Sequence, residues 1–253
     1  MSAILAPNFN AKPHLHESLE STMATKAIVS YDDTPNDHDA LMLGRVLAEA
    51  GVELTLAYVR HTTQAQRRRE ELEEHEAHAL LERGARWLDG IDAERRVVVS
   101  GSTGEGLRWL AEEEEADIVV FGSDYRTPPG HVAPQRSADK LLEGGVTAVA
   151  IAPADYRDVG AEDHRIRTIG VLASPGDDAS IASARELAES FAATLTRDEP
   201  RVDLLVVGSR PEAPEGRVMI SAQSERAIED ATAPVLVVAR GVPLSFPALA
   251  AAA

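Results

Sequence analysis

The chain reads as an α/β protein: a doubly wound parallel sheet, with a shortened second copy of the same unit packed on it. Three observations predict this. Apolar strand-like runs and helical patterns alternate five times between Lys26 and Pro153, the rhythm of parallel strands joined by right-handed crossovers. The stretch Val119–Pro153 (VVFGSDYRTPPGHVAPQRSADKLLEGGVTAVAIAP) has an ungapped echo 86 positions later, at Val206–Ala239. Asp117, Gly122, Ser123, Pro128, Gly130, Val132, Glu143 and Val149 return as Asp203, Gly208, Ser209, Pro214, Gly216, Val218, Glu229 and Val235, which reads as a tandem duplication. Finally, 253 residues with 44% apolar and 26% charged side chains are ordinary for a globular protein with a real core.

The elements follow in order. Residues 1–25 show no periodicity and read as a tail; His14 and His16 within it make too weak a pair for a metal site. Lys26–Tyr31 is a short strand, and Asp32-Asp33-Thr34-Pro35 after it suits a turn and helix start. Leu41, Leu43, Val46 and Leu47 mark a helix over Ala40–Ala50, stopped by Gly51. Val52–Val59 alternates as a strand. Gln64–Asp89 is a long charged helix that buries Leu72, Leu80, Leu81, Trp87 and Leu88, followed by a strand at Arg96–Val99 and a helix at Thr103–Glu115. The repeated unit then supplies a strand, a Gly/Pro-rich loop, a helix from about Ser137 and a closing strand, completing a first domain over 26–153. Ala154–Arg165 is a polar linker. In the second unit, 166–242, a strand at Ile166–Ser174 and a helix carrying Ile181, Ala184, Ala188, Phe191 and Leu195 lead almost directly to the strand Val202–Val207. Pro35 to Gly122 takes 87 residues and Pro175 to Gly208 only 33, so the second copy is expected to be three-stranded and to lean on the first. Residues 243–253 form a C-terminal tail.

Composition narrows the function. A net charge of −17 argues against nucleic acid or an anionic membrane surface as a partner. The absence of cysteine removes disulfides and thiolate chemistry. With no secretory pattern at the N-terminus and no apolar run of membrane length, the expected location is the cytoplasm. No P-loop, nucleophile elbow or metal-protease helix is present, so the expectation is a non-enzyme without a metal site. His75 and His78 read as an exposed acidic helix face. Asp37-His38-Asp39 reads as a helix start, and Ser30 and Ser102 have no evident base. His131 is the histidine that borders the repeated loop.

A strand ending in Gly122-Ser123, a Gly/Pro-rich loop, a helix with the pair Asp139-Lys140 and a Val-rich closing strand resemble the C-terminal half of a universal stress protein domain. The resemblance implies strand order 3-2-1-4-5, a Rossmann-like sheet, and pairing of the two copies through their last strands into an internal pseudo-dimer that could dimerise again. It also implies an adenine-nucleotide crevice where the chain reverses between strands 1 and 4, the place open α/β sheets bind ligands. The residues so implicated are Asp32, Asp33, Val59, Gly122, Ser123, Arg126, Gly130, Gln135, Arg136 and Ser137. Nucleotide-binding members carry G-x-x-G-x9-G-[S/T] there. This chain keeps Gly122 but has Tyr125, Gln135 and Arg136 at the following positions, and the second copy has Gly208, Pro211, Ser221 and Ala222. Side chains and prolines in such a loop obstruct close backbone approach and remove amide donors. The reading is therefore a stress-response regulatory protein that acts by binding an unknown protein partner. The alternative is a sensor of ATP, with Mg, or of another adenine nucleotide, using Asp32 and the loop from Gly122 to Ser137. A hydrolase or transferase acting in the same crevice is a third reading that no nucleophile-base pair supports.

Overall fold

A computed structural model describes residues 24–61, 70–160, 162–197 and 201–246, with the side chains of 70–73 left out. The sequence tail, the start of the long helix at 64–69 and the last residues lie outside the described residues. The element order is β1 (Lys26–Ser30), α1 (Pro35–Glu49), β2 (Glu53–His61), α2 (Glu70–Trp87), β3 (Ala93–Ser100), α3 (Thr103–Glu113), β4 (Ile118–Gly122), α4 (Arg136–Leu142) and β5 (Ala148–Ala152). After a 3-10 turn at Tyr156–Asp158 come β6 (Thr168–Leu172), α5 (Asp178–Phe191), β7 (Thr194–Thr196), β8 (Leu204–Gly208), α6 (Ala222–Glu229) and β9 (Val235–Val238).

The strands form one sheet in the order β3-β2-β1-β4-β5-β9-β8-β6-β7. Neighbours are parallel except at the centre, where β5 and β9 run antiparallel with Val149 opposite Val237 and Ile151 opposite Val235. The first five strands thus have the expected order 3-2-1-4-5. The second half carries four strands, correcting the expected three: β7, only three residues long, pairs with β6 through Ile169 and Leu195. So short a strand has too little alternation to be read from sequence.

Two layers of helices cover the sheet. On one face α1, α2 and α5 bury Leu41, Leu47, Leu81, Leu88 and Leu187 against Val29, Leu56, Ile169 and Val206. On the other, α3, α4 and α6 bury Leu107, Leu110, Leu141 and Ile228 against Ile28, Phe121, Val149 and Val237. In β5 the alternation puts Ala148, Ala150 and Ala152 toward α1 and Val149 and Ile151 toward the opposite face. The small side chains let α1 lie close over the sheet.

Helix α1 begins at Pro35, earlier than its apolar pattern indicates. Thr34 caps Asp37 N–H while the Asp37 carboxylate accepts from Thr34 N–H at 3.0 Å, a reciprocal capping box with proline in the first turn. Asp39, 1% exposed, binds the linker: it accepts from Asp155 N–H at 3.0 Å and Arg157 N–H at 2.9 Å, and pairs with the Arg157 guanidinium at 3.0 Å. The polar linker is therefore clamped to α1, with Tyr156 buried beneath it.

Across the β5/β9 junction the repeated loops exchange bonds. Val132 N–H donates to Ala231 O at 3.3 Å, and its counterpart Val218 N–H donates to Gly145 O at 2.8 Å. Both valine side chains are buried, at 1% and 0% exposure. Each buried valine contributes about 2 kcal/mol of apolar transfer. Val132→Ala and Val218→Ala should each cost about 2 kcal/mol in denaturant unfolding, although neither residue belongs to a strand of the sheet.

Candidate functional site

The C-terminal ends of β1 and β4 lie side by side, since Val29 pairs with Val120. Asp32 and Gly122 therefore flank one crevice, as the topology requires. Asp32 stands at its edge, and burial together with the charge of Asp37 pushes its carboxyl above the usual range. Asp37 itself is buried, 6% exposed, and bonds the amides of Asp32 and Thr34 at 3.0 Å. Val59 is 5% exposed; its side chain belongs to the α3-side core, and a Cβ on Gly106 would come within 2.8 Å of it.

Asp33 faces away from the crevice, contrary to expectation. It adopts a left-handed conformation, φ 59°, and its carboxylate accepts from Tyr31 Oη at 2.7 Å and from Arg83 Nε at 2.8 Å. It ties β1 to α2. The Tyr31 hydroxyl first, then Arg83 and His38, hold the Asp33 carboxyl below the ordinary carboxylate range.

Gly122 and Ser123 serve the fold. A Cβ on Gly122 would lie 1.9 Å from the carbonyl oxygen of Asn36, so the glycine admits the start of α1. Ser123, fully buried, donates to Ala152 O at 2.7 Å and accepts from Ala133 N–H at 3.2 Å. The corresponding Ser209 donates to Val238 O at 2.8 Å and accepts from Met219 N–H at 3.2 Å.

The loop between β4 and α4 spends its amides internally. Asp124 N–H donates to Ala133 O, Thr127 N–H to Asp124 O, Gly130 N–H to Ala154 O and His131 N–H to Pro128 O, at 2.8 to 3.1 Å. Arg126 N–H donates to the Asp124 carboxylate at 3.0 Å. Pro128, Pro129 and Pro134 carry no N–H. Gly130 has φ +75° and Gly216, 86 positions on, φ +74°, so the glycines conserved between the halves set the loop's turn. Tyr125 is 72% exposed; its hydroxyl accepts from Arg126 Nε at 2.7 Å, and the guanidinium lies 4.9 Å from its ring. Tyr125 thus points to solvent rather than toward Gly122, and it takes Arg126 outward with it.

Helix α4 begins at Arg136, one residue before the expected start, and has seven residues. Gln135 is its N-cap, with no side-chain hydrogen bond to the helix. Arg136 is exposed, and the backbone carbonyl of Ser137 sits where a Cβ on Gly104 would come within 2.9 Å, so α3 and α4 meet closely there. The structure thus brings Asp32, Gly122, Ser123, Gln135, Arg136 and Ser137 to one end of the sheet. Val59 stands near the C-terminal end of β2 with its side chain in the core, Asp33 turns to the α2 side, Arg126 to solvent, and Gly130 lies in a loop bonded to the strand-5 exit. His75 and His78 are exposed on α2, and no group of three or more metal-ligating side chains comes together among the described residues. Reading the sequence missed the reciprocal bonds of Val132 and Val218. Their signal was present: Val132 and Gly130 recur as Val218 and Gly216, while three of the four glycine-motif positions, 125, 135 and 136, differ from their counterparts.

A sequence model of the universal stress protein family matches residues 23–153. The chain belongs to this family. Among solved structures, a universal stress protein from Archaeoglobus fulgidus DSM 4304 superposes with a TM-score of 0.65 at 14% identity, covering 87% of this chain and 100% of that one. A functionally unknown protein from Pseudomonas aeruginosa PAO1 superposes with a TM-score of 0.59 at 14% identity, covering 86% of this chain and 93% of that one. A universal stress protein in complex with cAMP is 22% identical over 39% of this chain and 75% of that one, with a TM-score of 0.35. A search of curated proteins finds no match. At 14% identity the first two superpositions show the fold alone.

Two outcomes follow from the geometry. Gly122→Ala should destabilise the protein by about 3 kcal/mol or more, because the added carbon meets backbone rather than a side chain that can move. Asp33→Asn should lower Tm at pH 7. The folded pKa of Asp33 is depressed, so its contribution is present above the ordinary carboxylate range and fades as pH falls through the lowered value. The Tm difference from the parent protein should therefore close in acid.

Proposed function

We propose that this universal stress protein is a tandem of one complete and one shortened domain, and that it acts as a non-catalytic stress-response regulator by binding a protein partner. The supporting observation is the use of loop amides. A phosphate-binding loop must present free N–H groups to the ligand, whereas Asp124, Arg126, Thr127, Gly130 and His131 are all bonded within the chain and Val132 is bonded across the junction. Losing two or three phosphate contacts of roughly 1.5–3 kcal/mol each weakens a nucleotide site by on the order of a hundredfold or more. The duplication reading is supported by bonds that recur at the 86-residue offset, such as Gly130 N–H to Ala154 O and Gly216 N–H to Arg240 O.

A second reading, an adenine-nucleotide sensor, is favoured by one observation: Tyr125 points to solvent and the Gln135 side chain makes no capping bond, which leaves room at the start of α4. Calorimetric titration with ATP-Mg separates the two. No saturable heat up to millimolar ATP is expected. Micromolar binding that disappears in Arg136→Glu, a change at an exposed position, would overturn the regulatory reading in favour of the sensor.

A further inference from the structure

Away from the crevice, where α1 crosses the end of α2, a cavity of about 420 Å³ is lined by Asp33, His38, Arg45, Arg83, Arg86, Trp87 and Asp89. His38 and Arg45 are two turns apart on α1, and Arg83, Arg86 and Trp87 stand at i, i+3 and i+4 on α2, so both sets face the same space. Two of the three arginines have carboxylate partners: Arg83 is bonded to Asp33 at 2.8 Å, and Arg45 meets Asp89 at 3.4 Å while bonding Trp87 O at 3.3 Å. Arg86 has no hydrogen-bond or ion-pair partner among the described residues. The indole of Trp87 stacks on His38 with centroids 4.2 Å apart and planes 19° from parallel, yet remains 40% exposed. One ring face is therefore held by the protein while part of the indole stays open.

In a chain of net charge −17, a cavity with three guanidiniums against two carboxylates is a local reversal of sign. Guanidinium forks match the oxygens of phosphates and carboxylates, and an indole offers a flat apolar platform. We propose that this face binds a small anion joined to a flat ring, an aromatic phosphate or carboxylate, with Arg86 as the principal anion contact and Trp87 as the platform. The anchored pairs serve the site indirectly. Asp33 orients Arg83 through a 2.8 Å bond and Asp89 lies 3.4 Å from Arg45, which lowers the side-chain entropy lost on binding. The site is separate from the crevice and does not depend on whether nucleotide binds there.

Trp87 reports on its own occupancy. The chain has two tryptophans, and Trp109 is 55% exposed on α3, so Trp109→Phe leaves Trp87 as the only indole. Emission is titrated at constant ionic strength with phenyl phosphate, with inorganic phosphate and with a short tyrosine-phosphorylated peptide. A saturable change with phenyl phosphate is expected, weakened roughly tenfold or more by Arg86→Gln without a change in Tm. Arg136→Glu at the crevice should leave it unaltered. A peptide that binds at least as tightly as phenyl phosphate assigns the anion to a protein partner, and saturation by phenyl phosphate alone assigns it to a small molecule. Unsaturated quenching by both, an Arg86→Gln titration that overlays the parent, or inorganic phosphate saturating at the same concentrations as phenyl phosphate would overturn the proposal.

Discussion

The antiparallel contact of β5 with β9, and the pair of valines that lock it, is the constraint on which the rest of the molecule depends. Val149, Ala150 and Ile151 pair with Val237, Leu236 and Val235, all at 0–1% exposure. Around this seam each half extends a loop into the other: Val132 to Ala231 and Val218 to Gly145. The arrangement is self-complementary in the way of a twofold dimer interface, here within one chain. The second half has only four strands and two helices, and the seam joins it to the larger core of the first half. It also removes two sheet edges that would otherwise be open to pairing. The remaining edges are guarded differently. β3 carries Glu94, Arg95 and Arg96 on exposed positions, with Arg96 engaged by Glu94 and Glu114, and β7 is three residues long.

The same constraint accounts for the chemistry of the loop. A loop that must reach across a seam needs fixed ends and a fixed turn, which prolines, positive-φ glycines and the buried serines at 123 and 209 provide. A loop that cradles phosphate needs free amides and close backbone approach. These demands compete for the same N–H groups. In this chain the structural demand prevails in the first half at Asp124, Thr127, Gly130 and Val132, and in the second at Arg210, Ala213, Gly216 and Val218.

Much of this was legible in the sequence because periodic burial writes itself there. The five-fold alternation and the 86-residue echo follow from hydrophobic pattern and turn chemistry, whereas the crevice position of Asp32 and Gly122 follows from the strand order that the family resemblance implies. What was not legible came from contacts between elements distant in sequence. Asp33 reads like a neighbour of Asp32, but a left-handed φ turns its side chain to an arginine 50 residues away. Nothing local announces that Trp87 stacks on His38, since that contact is set by how α1 and α2 cross. Strand β7 escaped because three residues carry no usable period. Val132 and Val218 lie between these cases. Their recurrence was visible, but their partners across the seam belong to the other half.

Amide hydrogen exchange resolved at Val132 and Val218, with and without ATP-Mg, tests this account most directly. Both amides should be protected to about the level of β5 and β9, since opening either requires parting the seam, and ATP-Mg should leave that protection unchanged. Exchange as fast as an open loop, or protection that appears only when ATP-Mg is added, would contradict it and make the loop a ligand cradle instead of a clasp.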